Sequence, residues 1–495
     1  MDLILERNSF HYEMEKLCRL FYPMQRIRVF ENGETPPDPE PLTVVVGVRA
    51  QEGATCLYAR VTQQNTTDTV EQRYDGPDIE RALAVLLYGL LEKSSGFTPQ
   101  WGILTGIRPV KLLRSLVAGC GESQALRDFQ ADYLVSSQKT KLAQVTMHNE
   151  QQLLDHERPD GFSLYVGIPF CPSRCAYCSF VSTTVERTMG LIPDYLDGLC
   201  AELRATAAVA RDLGLVLQSV YIGGGTPTTL TVAQLDRLLG EIGRSFDLTH
   251  CMEYTVEAGR PDTVDLEKCA VLRQHGVTRI SINPQTMDDA VLEAIGRRHT
   301  VQQTLTAYQQ ARDAGFTDIN MDLIAGLPGD TLAGFQKTVD QVMALDPESI
   351  TVHTLALKRA SRIYQEDQAR ADGATAAAML DYADNRLLNA QYRPYYLYRQ
   401  SRILGGLENV GFAKAGSESF YNTVIMDETQ TILACGAGAG TKGVDPAGSG
   451  QLKRIYNFKY PYEYIHRHSE VLARKDKVRA IYAGFSKRSV LPRTQ

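Results

Sequence analysis

The chain has 495 residues, 43 % of them hydrophobic, and a formal net charge of −6. This length points to more than one domain with a substantial core, and the acidic balance argues against general nucleic-acid affinity. No apolar run is long enough to span a bilayer, and Met1–Leu20 mixes Glu, Arg and Lys with apolar residues instead of forming a signal-peptide core, so a cytoplasmic protein is expected. Of the ten cysteines, Cys18, Cys56, Cys120, Cys200, Cys251, Cys269 and Cys435 are scattered, which does not argue for disulfides in so long a chain.

Residues 1–155 read as a small α+β domain whose composition names no role. Phe10–Phe21 is a helix by apolar periodicity, and Leu42–Val48 and Cys56–Val61 are strands joined by a polar turn at Gln51–Ala54. Asp78–Leu91, Leu112–Ala118 and Ser123–His156 also have helical spacing. Between them, Trp101-Gly-Ile-Leu-Thr-Gly-Ile-Arg-Pro-Val-Lys111 carries the only tryptophan. Its cations suit an anion, and a packed connection between domains is the favoured reading.

From 156 to 355 the pattern alternates. Strands are expected at Leu164–Ile168, Ser219–Ile222, Glu253–Glu257, Arg279–Ile282, Asp318–Leu323 and Ser349–His353. Helices are expected at Ile192–Asp212, Val232–Arg244, Thr263–His275, Asp288–Ile295, Val301–Ala314 and Thr331–Ala344. Six strands separated by helices predict an α/β fold, a parallel barrel or part-barrel.

Just after the first strand, Cys171, Cys175 and Cys178 form a C-x3-C-x2-C array. Pro169 ends the strand, so the thiols sit on a loop at its C-terminal end. Three close thiolates need a cation. A structural zinc site wants four ligands, whereas an iron–sulfur cluster held by three thiolates leaves one iron open for a small molecule. The alternative is three cysteines packed as small hydrophobes.

The array, with Tyr177 before its last cysteine, resembles the radical S-adenosylmethionine (SAM) signature. The resemblance implies a [4Fe–4S] cluster on Cys171, Cys175 and Cys178 whose open iron is chelated by the amino acid end of SAM. One electron from the cluster then cleaves the sulfonium to a hydrogen-abstracting 5′-deoxyadenosyl radical. It also implies an open six-strand version of the barrel with its site at the strand C-terminal ends.

Further motifs fall at those ends. Gly223-Gly-Gly-Thr-Pro-Thr228 follows the second strand, and glycines let backbone approach a ligand closely. Glu257 ends the third strand and suits a ribose or an ammonium, with a salt bridge to Arg260 as the alternative. Gln285 can donate and accept toward a ribose, Arg297 can hold a carboxylate in bidentate fashion, and Asp322 can take a nucleoside hydroxyl. For these three, ordinary surface or capping polarity is the alternative.

Taken together, Y-x-x-I-P-F-C, C-x3-C-x-Y-C, G-G-G-T-P-T, E, R-x-S-x-x-x-Q, G-R-x-H and D-L-I-x-G-L-P, from Tyr165 to Pro328, resemble the oxygen-independent coproporphyrinogen III oxidase-like (HemN-like) proteins. The W-G-x-L-T-G-I-R-P stretch and the N-terminal domain resemble the HemZ-type branch, usually described as coproporphyrinogen dehydrogenase. The resemblance places Tyr165, Tyr177, Gly224, Gly225, Thr226, Glu257, Gln285, Arg297 and Asp322 at the cofactors. It implies a radical SAM partial (β/α)6 TIM-like barrel with a small N-terminal α+β domain and a C-terminal extension. The chain departs from the pattern at Gly167, where a histidine is usual, and at Ser179-Phe180, where a fourth cysteine is usual.

Residues 356–495 are expected to cover the substrate and cap the fold. Tyr364–Leu388 reads as a long helix and Lys453–Gln495 as helical and basic. Arg393-Pro-Tyr-Tyr-Leu-Tyr-Arg399-Gln-Ser-Arg402 interleaves aromatics and cations, as a tetrapyrrole with carboxylate arms would require, or is a half-buried strand with a basic face. Arg393, Arg399, Arg402 and Lys414, within the stretch from Lys358 to Lys414, are the candidate substrate cations. Gly405–Gly416 and Ala434–Gly440 are glycine-rich, the latter resembling a family stretch near the SAM nucleoside; Cys435 within it is not expected to ligate the cluster, since that would block SAM.

The expected activity is oxidative decarboxylation of two propionates of coproporphyrinogen III to vinyls, giving protoporphyrinogen IX. Its partners would be the tetrapyrrole and a reduced flavodoxin or ferredoxin-type donor, with no nucleic acid and no membrane. The competing readings are a haem-binding or haem-delivery protein that retains the cluster, and an anaerobic haem-opening radical SAM methyltransferase.

Overall fold

The computed structural model describes residues 1–488 other than 32, 52–53, 65, 179–182, 185–187, 359–360 and 366–371. The chain forms two compact units. One is Met1–Met147 with Asp372–Ala377 and Leu397–Asn409; the other is His148–Ala371 with Ala378–Tyr396 and Val410–Gln495.

The first unit is built on a five-stranded sheet. Its spatial order is Arg28–Glu31, Asp2–Glu6, Leu42–Gln51, Ala54–Gln63, Thr66–Arg73. The expected hairpin is present and longer than its apolar run, pairing from Leu42 opposite Gln63 to Gln51 opposite Ala54. Alternating Val44, Val46, Leu57 and Val61 face the core, where they meet Met14, Leu17, Leu83 and Leu87 of helices His11–Phe21 and Ile79–Ser95. Asp2–Glu6, Arg28–Glu31 and Thr66–Arg73 are strands that sequence reading left out, because the first two are short and the third is polar and mostly exposed.

The single helix expected over Ser123–His156 is two, Glu122–Ala131 and Ser137–Leu154. Leu134 between them has a left-handed backbone (φ 57°), and the Ser136 hydroxyl accepts from the Lys139 amide to start the second. Trp101 is fully buried and donates to Glu408 at 2.6 Å, while Lys139 pairs with the same carboxylate at 2.5 Å. Within the first unit, its stretch packs against Leu397–Asn409.

The second unit carries an eleven-stranded sheet. Its heart is a run of parallel strands in chain order: Gly161–Ile168, Val216–Gly224, Glu253–Glu257, Arg279–Ser281, Ile319–Ala325 and Ser349–Thr354, called here the first to sixth. All six match expected strands to within a few residues. Ile192–Asp212, Val232–Ser245, Leu266–Gln274, Asp289–Ala294, Val301–Asp313 and Leu332–Ala344 connect them. Several start on side-chain caps, with capping boxes at Thr231/Gln234 and Thr300/Gln303. The fold is therefore α/β, a part-barrel of consecutive parallel strands.

A seventh parallel strand was not expected. Thr431–Cys435 pairs with the first strand from Thr431 opposite Phe162 to Cys435 opposite Val166, so the following glycines leave from the same end as the cysteine loop. Antiparallel strands flank both sides. Leu452–Tyr456 is one of them, where helix was expected, and the helices Pro461–His466 and His468–Arg488 follow. Of the long helix expected over Tyr364–Leu388, Arg362–Gln365 and Gly373–Asn389 are helical; 366–371 lie outside the described residues.

Candidate active site at the strand ends

The cysteine loop leaves the first strand and is pinned from several sides. The Gly225 amide donates to Ile168 O and the Thr226 amide to Phe170 O, both at 2.7 Å. A Cβ on Gly225 would lie 2.6 Å from Phe170 O, so only glycine allows the approach. The Ala176 amide donates to Ile295 O at 2.9 Å, and the Ser173 hydroxyl to Gly296 O at 3.1 Å. Cys171, Cys175 and Cys178 are each partly exposed on this loop. The Thr226 hydroxyl lies 3.5 Å from Cys171 Sγ, and Arg260 Nη1 lies 3.9 Å from Cys175 Sγ. Among the described residues no three His, Cys, Asp or Glu side chains converge on a single metal ion. Ser179 and Phe180 lie outside the described residues.

Arg297 is buried behind the loop. Nη1 donates to the Tyr177 hydroxyl at 2.9 Å, and Nη2 to the Asn283 carbonyl at 2.9 Å and to the Gly259 carbonyl. Nε also reaches His299 Nδ1 at 3.5 Å, so this buried cation is held by neutral groups. Arg260 pairs with Asp262 at 3.2 Å and reaches Ser173, so the alternative of a Glu257–Arg260 bridge is not what forms.

Glu257 ends the third strand. It accepts from the Tyr221 hydroxyl at 2.6 Å, and Gly223 leaves it room, since a Cβ there would lie 2.8 Å from its carboxyl carbon. Burial pushes its carboxyl up to about 7; the Asp322 charge adds to this, while bonds from Tyr221 and the Gly224 amide oppose it. Asp322 lies two strands away. Burial raises it too, but bonds from His353, Asn320 and Thr351 more than reverse this and hold it below the usual carboxylate range. Asn320 Nδ2 donates to Asp322 at 2.8 Å, and His353 Nε2 lies 3.7 Å away.

Gln285 is 7 % exposed, has a left-handed backbone (φ 69°), and its side-chain oxygen is buried without a hydrogen-bond partner. Its amide donates to Asp322 O at 2.9 Å. An unpaired acceptor in a strained backbone is costly in a folded core and marks where a donor is to arrive. Tyr165 sits beside Tyr221 with ring centroids 6.4 Å apart, and Tyr421 stacks on Tyr221 at 4.4 Å.

The glycine loop after Cys435 is anchored by buried Glu202. That carboxylate accepts from the Gly436 amide at 2.8 Å, Asn457 at 2.7 Å and Tyr464 at 2.5 Å, and pairs with Lys475 at 2.5 Å. Cys435 is fully buried against Thr206, and burial pushes its thiol up to about 12.

The structure thus brings Tyr165, Tyr177, Gly224, Gly225, Thr226, Glu257, Gln285, Arg297 and Asp322 to the end of the sheet that carries the three cysteines. Within the same unit it does not bring Lys414 or Arg393 there. Lys414 pairs with Asp346 at 2.7 Å and its amide donates to Glu348 O, just before the sixth strand begins. Arg393 follows Tyr392, whose hydroxyl donates to Pro347 O at that same far end. Arg399 and Arg402 belong to the first unit, where Arg399 is buried and donates to Gly406 O at 2.6 Å and to Leu104 O. Lys358, four residues beyond the sixth strand, is a cation of that stretch at the cysteine end, and burial lowers its ammonium pKa. Sequence reading also missed Tyr221, Asn320 and His353. All three are polar residues in strands, and Asn320 shares a face with Asp322 by the two-residue period.

The donor set fits a three-thiolate cluster with a cationic, hydroxyl-bearing ligand beside it. Partly exposed thiols, a glycine cradle, an unpaired acceptor and a buried guanidinium are the features such a ligand requires. These define a radical SAM site on a part-barrel, and the radical SAM superfamily model matches residues 165–342. The oxygen-independent coproporphyrinogen-III oxidase-like protein HemZ of Bacillus subtilis is 40 % identical over 395 residues, 79 % of each chain. The heme chaperone HemW of Bacillus subtilis is 33 % identical over 285 residues, covering 57 % of this chain and 70 % of its own. Among solved structures, coproporphyrinogen III oxidase (HemN) from Escherichia coli matches the fold with a TM-score of 0.50 at 22 % identity, over 64 % of this chain and 73 % of that one. The chain belongs to the oxygen-independent coproporphyrinogen III oxidase-like family of radical SAM proteins. Its cofactors are a [4Fe–4S] cluster and SAM.

Proposed function

We propose that this chain is an oxidoreductase that decarboxylates two propionates of coproporphyrinogen III to vinyls, giving protoporphyrinogen IX. Cys171, Cys175 and Cys178 hold the cluster. Gly224, Gly225 and Thr226 cradle the amino acid end of SAM, with Glu257 at its ammonium and Arg297 at its carboxylate. Asp322 and the unpaired oxygen of Gln285 take ribose hydroxyls, and Tyr165 and Tyr177 close the pocket. When bound, these cofactors supply the electron and the hydrogen-abstracting radical; the protein supplies position and exclusion of water. Lys358 meets a substrate propionate. Each propionate loses one hydrogen atom, one electron to an external acceptor, and CO2. A reduced flavodoxin or ferredoxin-type protein donates to the cluster, residues 156–355 carry the cofactors, and 356–495 cover the substrate.

The observation that carries this reading is the 40 % likeness over 395 residues to an oxidase-like protein, a span far longer than the radical SAM match alone. The second reading, haem delivery, is favoured by the likeness to heme chaperones, which reaches 33 % over 285 residues. Anaerobic incubation of cluster-loaded protein with SAM, reductant and coproporphyrinogen III, followed by mass analysis, separates the two. Vinyl products support the oxidoreductase. Their complete absence, together with stoichiometric haem uptake on titration, moves the assignment to haem delivery.

A further inference from the structure

The first unit holds a pocket of about 50 Å³ lined by Lys16, Arg19, Arg399 and Arg402, with Thr105 and Ser401 among the other wall residues. Four cations and no carboxylate line it, on a chain whose formal charge is −6. Glu15 meets Arg19 at 2.5 Å from outside the lining. The neighbouring cavity of about 380 Å³ in the same unit is different, since Glu13, Asp78 and Glu80 there face Arg81 and Arg108. Charge segregation between two cavities of one small unit is specific to the smaller one.

Arg399 is 4 % exposed, and its guanidinium is spent on carbonyls: Gly406 O at 3.1 Å from Nε and 2.6 Å from Nη2, and Leu104 O. The carboxylate whose charge acts on it, Glu408, is engaged by Lys139 and Trp101. Burial lowers Arg399 to about 10, which still leaves it charged at neutral pH. Burying a cation without an ion-pair partner is costly, and an anion in the pocket offsets that cost. Arg402 is held in a left-handed backbone (φ 62°) at the pocket wall, a strained arrangement that brings a fourth cation to the lining.

We propose that this pocket is an oxyanion site that takes a single carboxylate or phosphate group. Its volume suits one such group and not a whole tetrapyrrole, and guanidinium forks match both geometries. The site stands on the first unit alone and does not rest on the reaction proposed above. The ligand is either a free phosphate or a propionate arm of a tetrapyrrole, and titration decides between them.

The test uses the cluster-loaded full-length chain and Lys16→Gln/Arg402→Asn, in which Asn tolerates the left-handed backbone. Calorimetric titration with inorganic phosphate, and fluorescence titration with coproporphyrin III, are run at two salt concentrations. The expected result is saturable binding of at least one anion, weakened at least tenfold in the double variant and by salt, with unchanged circular dichroism and cluster absorbance. Binding of phosphate alone assigns a phosphate site; loss of coproporphyrin affinity alone assigns a propionate site. No binding of either anion, or equal affinities in wild type and variant, overturns the proposal. The vinyl-product assay is read separately, so loss of this site and failure of the decarboxylase reading remain distinguishable.

Discussion

The two ends of the parallel sheet are built differently, although the same strands make both. Glu253 and Glu257 bound one five-residue strand. Glu253, at the N-terminal end, accepts from the Thr255 and Ser419 hydroxyls and the Tyr421 amide at 2.7, 2.9 and 3.1 Å. Glu257, at the other end, has the Tyr221 hydroxyl and is pushed up to about 7. The arginines repeat the contrast. Arg279, at the N-terminal end, meets Asp318 at 2.8 Å, whereas Arg297 is held by a hydroxyl and two carbonyls. One end is closed by its own side chains, and the other keeps charge in reserve for a ligand.

The largest effect should come from the cysteines. Serine at Cys171, Cys175 or Cys178 is expected to abolish the cluster's absorbance and iron content after anaerobic reconstitution. Cys435→Ser should leave both intact, because that thiol is buried against Thr206. A Cys435→Ser protein without cluster would overturn the assignment.

At the closed end, Arg279→Ala strands Asp318 and should cost about 3–5 kcal/mol of stability, the usual penalty for breaking a buried pair. Denaturant melts would show the loss, while SAM affinity in the folded protein should not change. At the open end the pattern inverts. Arg297→Gln, Asp322→Ala and Glu257→Ala should each weaken SAM binding by roughly 1.5–3 kcal/mol, with the cluster retained. If Arg279→Ala lowered SAM affinity while Asp322→Ala and Glu257→Ala left it alone, the distinction between the ends would fail.

Much of this was legible in the chain. The six strands announce themselves because strands covered by helices on a parallel sheet are apolar, short and regularly spaced. Glu257 and the cysteine loop stand out as candidates because each lies where an apolar strand stops. What escaped had no such signal. Thr431–Cys435 is an ordinary apolar stretch whose parallel partner, the first strand, lies far back in sequence. Density of cations along the chain after the sixth strand does not by itself set where each side chain goes. Lys414 turns to Asp346 and Arg399 to the carbonyls of Leu104 and Gly406, each neutralised or held locally. His353 was read as the last residue of a strand, although that position at a barrel end is where function gathers.

The smallest effect, and the sharpest test of reserve charge, is the pH dependence of SAM affinity. Tyr221, Asp322, His353 and Tyr165 face Glu257, and burial with the Asp322 charge raises its carboxyl to about 7 from an ordinary 4.5. The sign follows from linkage. The folded free protein holds this proton more tightly than the unfolded chain does, so the stability it contributes is present below 4.5 and is lost as pH rises through 7. A cationic ligand at Glu257 requires the carboxylate form, so its affinity should run the other way and rise with pH until the group is ionised. Between pH 6 and pH 8 the ionised fraction changes roughly tenfold, and SAM affinity should follow by about that factor. Glu257→Gln should flatten the profile at the weaker value and make the free protein's stability less dependent on pH across the same interval. A wild-type profile that is flat from pH 6 to 8, measured by equilibrium dialysis on cluster-loaded protein, would remove Glu257 from the ammonium.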